Sequence, residues 1–182
     1  MTGKQTLRRA MRARFTGFPA PERARQSRAL CKILAAHPAL RTAKSIGIYI
    51  PLPDEPDLNP LYTQLTQRLA VPVEEKGIWQ FREITDLLFR PSENHGVRLP
   101  TVGKPVPAAG LDLILVPGRA FTPEGDRLGR GRGIYDRLLA DTPAVTLGIA
   151  FDIQLLPTLP TEPHDLRVQE ILTAPCRVSP KK

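Results

Sequence analysis

A glycine- and arginine-rich loop over residues 117–133 carries the strongest chemical signal in the sequence. Gly129, Gly131 and Gly133 recur at alternate positions just before an apolar segment with helical character. Alternating glycines let a loop turn several backbone N–H groups toward one point and let a ligand approach without Cβ clashes. A helix N-terminus adds further N–H groups, so the pattern suits a phosphate. The spacing fits neither a Walker A loop nor a dinucleotide-binding fingerprint.

Positive charge is concentrated in the same stretch. Within residues 113–140, five arginines could neutralise phosphate oxygens: Arg119, Arg127, Arg130, Arg132 and Arg137. A plain structural loop and an RNA-binding Gly-Arg tract are the alternatives, although such tracts are usually long and repeated. Asp136 follows Gly133 in the first predicted helical turn, where a carboxylate facing phosphates is useful if Mg²⁺ lies between them. A helix-capping acid is the competing interpretation of Asp136.

The net charge of +8 over 182 residues is confined to the N-terminus. Residues 1–32 hold nine Lys and Arg against one acid, and the rest of the chain is balanced. Such an arm is typical of proteins that bind nucleic acid, an anionic membrane or a phosphate-bearing ligand, and of transit peptides. The spacing of four residues predicts a helix over 4–15, with Leu7, Met11 and Phe15 on one face. Lys4, Arg8 and Arg12 share another face, which would be a solvated basic face if it binds nothing.

Composition limits the class of protein. At 41% hydrophobic and 24% charged residues the chain is typical of a globular protein, and its length fits one domain over 1–182. Aromatic residues are only 5%, which leaves few stacking platforms for nucleic acid. No apolar run approaches the roughly 20 residues that span a bilayer. Cys31 and Cys176 form neither a metal-spaced pair nor a disulfide framework, so we expect reduced thiols and a cytoplasmic location.

Strand-like and helix-like segments alternate along the chain. Helices are predicted over 4–15, from Pro21 to about His37, over 58–69 and over 134–140; strands over 45–50, 70–74, 78–83, 86–89, 111–116, 144–150 and 168–173. Residues 91–110, rich in Pro, Gly and Asn, are predicted to be loop. This alternation favours an α/β fold with a mostly parallel sheet covered by helices on both faces. The loop over 117–133 would then lie at the carboxyl end of a strand, where such sheets bind ligands.

Four segments of the sequence match the motifs of one known family. They are Pro117-Gly118-Arg119-Ala120-Phe121 with Gly125-Asp126-Arg127-Leu128-Gly129, Gly131, Gly133 and Tyr135-Asp136; Lys4-x-x-Leu7-Arg8; Tyr49 to Glu55; and Leu147 to Gln154 followed by Pro160-x-x-x-His164-Asp165. In this combination and order the chain resembles the 5-formyltetrahydrofolate cyclo-ligases, also called methenyltetrahydrofolate synthetases. The matches span nearly the whole chain.

The resemblance implies a three-layer α/β domain and a ligase that forms a carbon–nitrogen bond. Its reaction would convert 5-formyltetrahydrofolate and MgATP to 5,10-methenyltetrahydrofolate, ADP and phosphate, through phosphorylation of the formyl oxygen and ring closure. Phosphoryl transfer of this kind needs positioning and charge neutralisation more than a covalent nucleophile.

The resemblance also implies a set of site residues. ATP would be bound by Lys4, Arg8, Arg127, Leu128, Gly129, Arg130, Gly131, Arg132, Gly133, Ile134 and Tyr135. The folate would be bound by Ile50, Glu55, Arg130, Gly131, Arg132, Gly133 and Ile134. Arg132 and Tyr135 would be catalytic, and Asp136 and Asp165 would hold Mg²⁺. His164 has no assigned role.

Three positions depart from the family pattern. Ile134 replaces an aromatic residue, Arg132 replaces a Lys found in many members, and Gln169 stands where an acid is frequent. We expect activity, with small-molecule substrates, no nucleic-acid or membrane partner, and a monomer or weak homodimer. The alternatives are a basic nucleic-acid-binding protein and a catalytically lapsed relative that binds nucleotide only.

Overall fold

The computed structural model describes residues 3–91, 98–140, 142–174 and 177–178. For residues 86–91, 98–100 and 177–178 it describes the backbone alone. Its α-helices are Gly3–Thr16 (α1), Ala20–Ala35 (α2), Pro38–Thr42 (α3), Asn59–Tyr62 (α4) and Ile134–Leu138 (α5). Short 3-10 helices cover Ala108–Gly110 and Asp152–Gln154. Its strands are Ser45–Gly47 (β1), Arg68–Glu75 (β2), Ile78–Pro91 (β3), Arg98–Val106 (β4), Leu113–Pro117 (β5), Ala120–Phe121 (β6), Arg127–Leu128 (β7), Val145–Ala150 (β8), Glu170–Thr173 (β9) and Arg177–Val178 (β10).

Eight of these strands form one sheet in the order β10-β9-β8-β5-β1-β2-β3-β4, while β6 and β7 pair separately as a hairpin. The five strands from β9 to β2 pair in parallel, with Ile46 of β1 opposite Leu69 of β2 and Leu113 of β5. The remaining strands, β10 at one edge and β3 and β4 at the other, pair antiparallel. The sheet is therefore mostly parallel, as predicted.

Apolar clusters cover both faces of the sheet and make the three-layer α/β fold. On one face α2, α3 and α4 pack Leu30, Leu34 and Tyr62 against buried residues of the central strands. On the other face α5 and the β6–β7 hairpin contribute Tyr135 and Phe121. Parallel strands buried on both faces are typically continuous apolar runs, and β5 with the sequence LILVP is such a strand.

The two N-terminal helices match their predictions closely. α1 buries Met11 and Phe15, with Leu7 half-buried, and this confirms the apolar seam. α2 begins one residue before Pro21, whose fixed φ suits the first helical turn. It ends at Ala35, and the short α3 follows from Pro38.

Three predictions about the middle of the chain are wrong. The stripe over 58–69 is helical only over Asn59–Tyr62; Leu65 lies in an irregular segment and Leu69 is already in β2. Residues 91–110 are not all loop, because β4 forms there, and the two strands predicted over 78–83 and 86–89 are one long strand, β3. Residues 92–97 lie outside the described part of the chain. Strand β1 is also shorter than predicted, ending at Gly47.

Within the described residues, no helix is both long and apolar enough to cross a bilayer. Cys31 is a half-buried free thiol whose pKa is raised, chiefly by burial. Cys176 lies outside the described residues.

Candidate active site

A cavity of about 430 Å³ opens at the carboxyl ends of β1 and β5. Tyr49 and Ile50, which follow β1, form part of its wall, and Pro117 and Gly118 at the end of β5 form another part. α1 contributes Lys4 and Arg8. This is the edge at which parallel α/β sheets bind ligands.

The loop between β7 and α5 forms one side of this cavity. Its backbone turns at two glycines with positive φ, 99° at Gly131 and 59° at Gly133, a conformation that favours glycine. Arg8 Nε donates a hydrogen bond of 2.8 Å to the carbonyl oxygen of Gly129, so α1 holds this loop from one side. α5 has only five residues, so the loop itself presents most of the backbone groups here.

Arg127 and Asp136 form a partly buried ion pair beside the loop. The guanidinium of Arg127 donates to Asp136 Oδ1 at 2.6 Å and lies 5.6 Å from the ring centroid of Tyr135. The Arg127 side chain is 4% exposed, and its Nε has no partner among the described atoms. Burial raises the pKa of Tyr135 well above its usual value, so the phenol is neutral and can donate a hydrogen bond into the cavity.

Lys4 of α1 lies buried between two carboxylates in another part of the cavity wall. Its Nζ donates to Asp165 Oδ2 at 2.6 Å and to Glu162 Oε2 at 2.9 Å. Burial is the largest single effect on Asp165 and opposes its ionisation, but the hydrogen bonds from Lys4 and from the Glu162 N–H, together with the positive charge of Lys4, outweigh it and lower the pKa of the Asp165 carboxyl. Lys4 is therefore part of an ion-pair cluster rather than of a solvated basic face, whereas Arg12 is exposed.

Glu55 is buried and lies against Arg130 of the glycine-rich loop. Its Oε1 accepts hydrogen bonds from Arg130 Nε at 3.1 Å and from a terminal nitrogen at 2.9 Å, and its Oε2 accepts from the backbone N–H of Leu52 at 3.1 Å. Burial raises the pKa of Glu55 even though Arg130 lies beside it. The carboxylate is fixed in orientation at the cavity wall.

Arg132 lies on the exposed rim. It donates to Glu74 Oε2 at 2.7 Å, and its guanidinium lies 5.3 Å from the ring centroid of Trp79. Ile134 is half-buried on the same rim. An aliphatic side chain thus lines the cavity where the family pattern has an aromatic one.

All residues assigned to the site from the sequence line this one cavity: Lys4, Arg8, Ile50, Glu55, Arg127, Leu128, Gly129, Arg130, Gly131, Arg132, Gly133, Ile134, Tyr135, Asp136 and Asp165. Two of the five arginines proposed for phosphate binding do not line it: Arg119 pairs with Asp54, and Arg137, on α5, donates to the carbonyl oxygen of Arg132. The third departure from the family pattern, Gln169, bonds Thr146 at the start of β8, at the other end of the sheet.

Sequence reasoning missed several residues of the wall. Trp79 comes from β3 and Pro72 from β2, and Glu162 and His164 shortly precede Asp165 in the chain. Of these, only Glu162 and His164 had a signal, since both fall inside the segment from Pro160 to Asp165. Trp79 lies in a strand that carries no motif.

One group of three residues and the separate carboxylate of Asp136 could contribute ligands to a cation. Glu162, His164 and Asp165 offer ligand atoms that lie within 4.8 Å of one another. Asp136 is not in this group, although it lines the same cavity. Carboxylate oxygens are the donors that Mg²⁺ prefers, and each carboxylate can accept more than one partner, so Asp136 and Asp165 fit this ion by their chemistry.

The comparisons with known proteins decide the family. The model of the 5-formyltetrahydrofolate cyclo-ligase family matches residues 1–174. The chain belongs to this family. A 5-formyltetrahydrofolate cyclo-ligase of Mus musculus is 27% identical over 189 residues, covering 94% of this chain and 93% of the mouse protein. The enzyme of that name from Escherichia coli K12 is 27% identical, with 77% of this chain and 83% of the bacterial protein covered.

Solved structures agree with this assignment. The 5,10-methenyltetrahydrofolate synthetase of Aquifex aeolicus is 28% identical, has a TM-score of 0.88, and covers 100% of this chain and 94% of its own. A 5,10-methenyltetrahydrofolate synthetase from Mycoplasma pneumoniae shares the fold with a TM-score of 0.71 at 18% identity. Membership of the cyclo-ligase family confirms the prediction of a ligase and of the three-layer α/β fold.

Proposed function

We propose that this cyclo-ligase family member converts 5-formyltetrahydrofolate to 5,10-methenyltetrahydrofolate, with cleavage of ATP to ADP and phosphate. One observation carries the proposal: a single cavity brings the basic glycine-rich loop and the N-terminal Lys4 and Arg8 together with the buried Glu55. The basic part suits a triphosphate, and the buried carboxylate suits the N–H groups of a pterin.

The reaction proceeds in two displacement steps. The formyl oxygen attacks the terminal phosphorus of ATP and ADP leaves, so the oxygen becomes part of a phosphate leaving group. The neighbouring folate nitrogen then attacks the activated carbon and a carbon–nitrogen bond forms. The carbon–oxygen bond breaks, and the departing phosphate takes up the proton that this nitrogen loses. Both steps build negative charge on phosphate oxygens while the two reactants are held at one point.

The chain's own residues serve binding, orientation and charge neutralisation. Arg8 and the loop from Arg127 to Tyr135 bind ATP, while Ile50 and Glu55 bind the folate. Arg132 reaches the phosphates from the rim by exchanging Glu74 for an anionic oxygen. Tyr135 stays protonated and donates a hydrogen bond to the developing phosphate charge, which is the catalytic part we assign to it.

Asp136 and Asp165 are the residues that would hold Mg²⁺ at the phosphates. The ion supplies charge neutralisation and orientation of phosphate oxygens when it is bound. Arg127 and Lys4 hold these two carboxylates in place on the cavity wall.

The decisive experiment measures formation of the methenyl product by its near-ultraviolet absorbance. Product is expected only when protein, ATP, Mg²⁺ and 5-formyltetrahydrofolate are all present, and omission of each one is the control. Absence of product from purified protein that still binds ATP would favour the lapsed nucleotide-binding relative. Salt-sensitive binding of RNA without any folate turnover would favour the nucleic-acid-binding alternative. The cytoplasmic location and the monomer or weak homodimer stay predictions.

A further inference from the structure

Asp54 lies between two arginines that belong to different segments. One of its oxygens pairs with a terminal nitrogen of Arg119, next to Gly118 at the end of β5, and the other pairs with a terminal nitrogen of Arg130 in the glycine-rich loop. The same nitrogen of Arg130 also donates to Glu55 Oε1 at 2.9 Å. Arg130 and Glu55 line the cavity, whereas Asp54 and Arg119 do not.

The charges explain why Asp54 is needed at this point. The side chain of Arg119 is only 11% exposed, and its pKa is lowered by burial and by the nearby positive charge of Arg130. Two guanidinium groups brought together in a half-buried place repel each other unless a carboxylate lies between them. Arg130 is the more exposed of the two, with 33% of its side chain accessible, and it is the one that reaches the cavity.

We propose that Asp54 is a positioning residue that bridges Arg119 to Arg130 and thereby fixes Arg130 against Glu55 in the folate-binding part of the cavity. This inference rests on the proposed function, because it needs Glu55 to face the folate. Asp54 does not touch the substrate. It acts through Arg130, whose guanidinium holds the Glu55 carboxylate in one orientation.

The bridge has a consequence for binding that a purely stabilising ion pair lacks. An Arg130 held by Asp54 and Glu55 together is ordered before the folate arrives, so little conformational entropy is lost on binding. Without Asp54, Arg130 keeps one acidic partner and has more rotamers. Affinity for 5-formyltetrahydrofolate should then fall, while kcat at saturating folate changes much less.

The test compares Asp54→Asn with the double variant Asp54→Asn/Arg119→Met. Asp54→Asn should raise the Kd for 5-formyltetrahydrofolate, measured by calorimetry, and its KM about tenfold, as expected for loss of one charge-assisted hydrogen bond. It should also lower Tm, because Arg119 is left buried without a counter-charge. The double variant removes that charge, so Tm should recover while Kd and KM stay raised.

The recovery pattern separates positioning from stability. If Kd and KM return to wild-type values together with Tm in the double variant, Asp54 serves stability alone and the inference is overturned. It is also overturned if Asp54→Asn binds folate within about twofold of wild type, given that a charge-assisted bond is worth more than that.

Asp57→Asn is the matched control, since Asp57 is an exposed acid of the same loop whose Oδ1 caps the N–H of Asn59, a contact that asparagine keeps. It should bind folate and turn over as wild type does. A wild-type protein that forms no methenyl product would sink the proposed function, whatever the variants do, whereas normal wild-type turnover with an unaffected Asp54 variant sinks only the positioning role.

Discussion

At the scale of single residues, Lys4 and Arg8 lie one turn apart on α1 and are both proposed to contact ATP, but their surroundings differ. Lys4 is buried and paired with Asp165 and Glu162. Arg8 is half-buried and holds the carbonyl oxygen of Gly129. Replacing Lys4 would leave two carboxylates without their shared cation, so stability and ATP binding would change together. Arg8 is the better residue for a test of function.

Arg8→Met should raise the KM for ATP about tenfold, because a phosphate loses one charge-assisted partner while methionine keeps the apolar stem. Tm should change little. Arg9→Met is the control, since Arg9 is the next residue on the exposed side of α1 and does not line the cavity. Equal KM values for ATP in the two variants would mean that Arg8 is merely part of a basic surface. The measurement is initial rate against ATP concentration at saturating folate.

At the scale of elements, the same substitution should affect stability at one glycine and turnover at another. A Cβ at Gly118 would lie 2.7 Å from Cζ of Phe121, which is fully buried, so Gly118→Ala should lower stability by about 2 kcal/mol through overpacking. A Cβ at Gly129 would lie 2.7 Å from a terminal nitrogen of Arg127, the flexible end of a side chain.

Gly129→Ala should therefore move the Arg127 guanidinium away from Asp136. We expect a marked fall in kcat and only a small change in Tm. Thermal unfolding and steady-state kinetics on both variants check the contrast. A Gly129→Ala protein with wild-type kcat would show that the Arg127–Asp136 pair is not needed for turnover. A Gly118→Ala protein with wild-type Tm would show that Phe121 can shift without loss of packing.

Elements were predictable wherever local pattern and tertiary environment agree. β5 is buried on both faces and is a continuous apolar run, so its sequence alone identifies it. β4 contains Pro100, Gly103 and Pro105 and was predicted as loop. An edge strand tolerates such residues, since one side of it makes no ladder hydrogen bonds, and β4 is the edge strand of the sheet.

The stripe over 58–69 shows the opposite failure. Leu58, Leu61, Leu65 and Leu69 all pack in or against one core cluster, as the pattern indicates. The chain nevertheless reaches that core by a single helical turn, an irregular segment and a strand. The apolar pattern indicates which side chains are buried, but more than one backbone conformation can bury them.

At the scale of the whole molecule, the residues assigned to the site from the sequence line one cavity, and most of them are close together in the chain. The glycine-rich loop supplies contiguous residues to the cavity. What the sequence did not place are residues brought from distant elements, such as Trp79 on β3 and Pro72 on β2. Those contacts depend on which strands lie side by side in the sheet, and the pattern within one strand does not show its neighbours.

The end of the sheet opposite the cavity contains hydrogen bonds that stabilise the fold and do not involve the proposed site. Asp112, just before β5, accepts hydrogen bonds from the backbone N–H groups of Lys44 at 2.8 Å and Ser45 at 2.9 Å, and from Ser45 Oγ at 2.9 Å. These hydrogen bonds lower the pKa of the Asp112 carboxyl, and the bond from the backbone N–H of Lys44 has the largest effect. They tie the starts of β1 and β5 together, whereas the cavity lies at the other ends of these strands.

A carboxyl whose pKa is lower in the folded state contributes stability that is present above its unfolded pKa of about 3.9 and is lost as pH falls through the folded pKa. Asp112→Ala should therefore lower Tm at pH 7, and the gap to wild type should shrink as pH is lowered below about 4. The kinetic constants for folate and ATP should stay at wild-type values, because the cavity is at the far end of the sheet. Thermal unfolding from pH 7 to pH 3 measures the gap, with Glu124→Ala, which removes an exposed loop carboxylate, as the control. A gap that stays constant across this range, or a changed KM for folate, would contradict the separation of a stabilising end from a reacting end of the sheet.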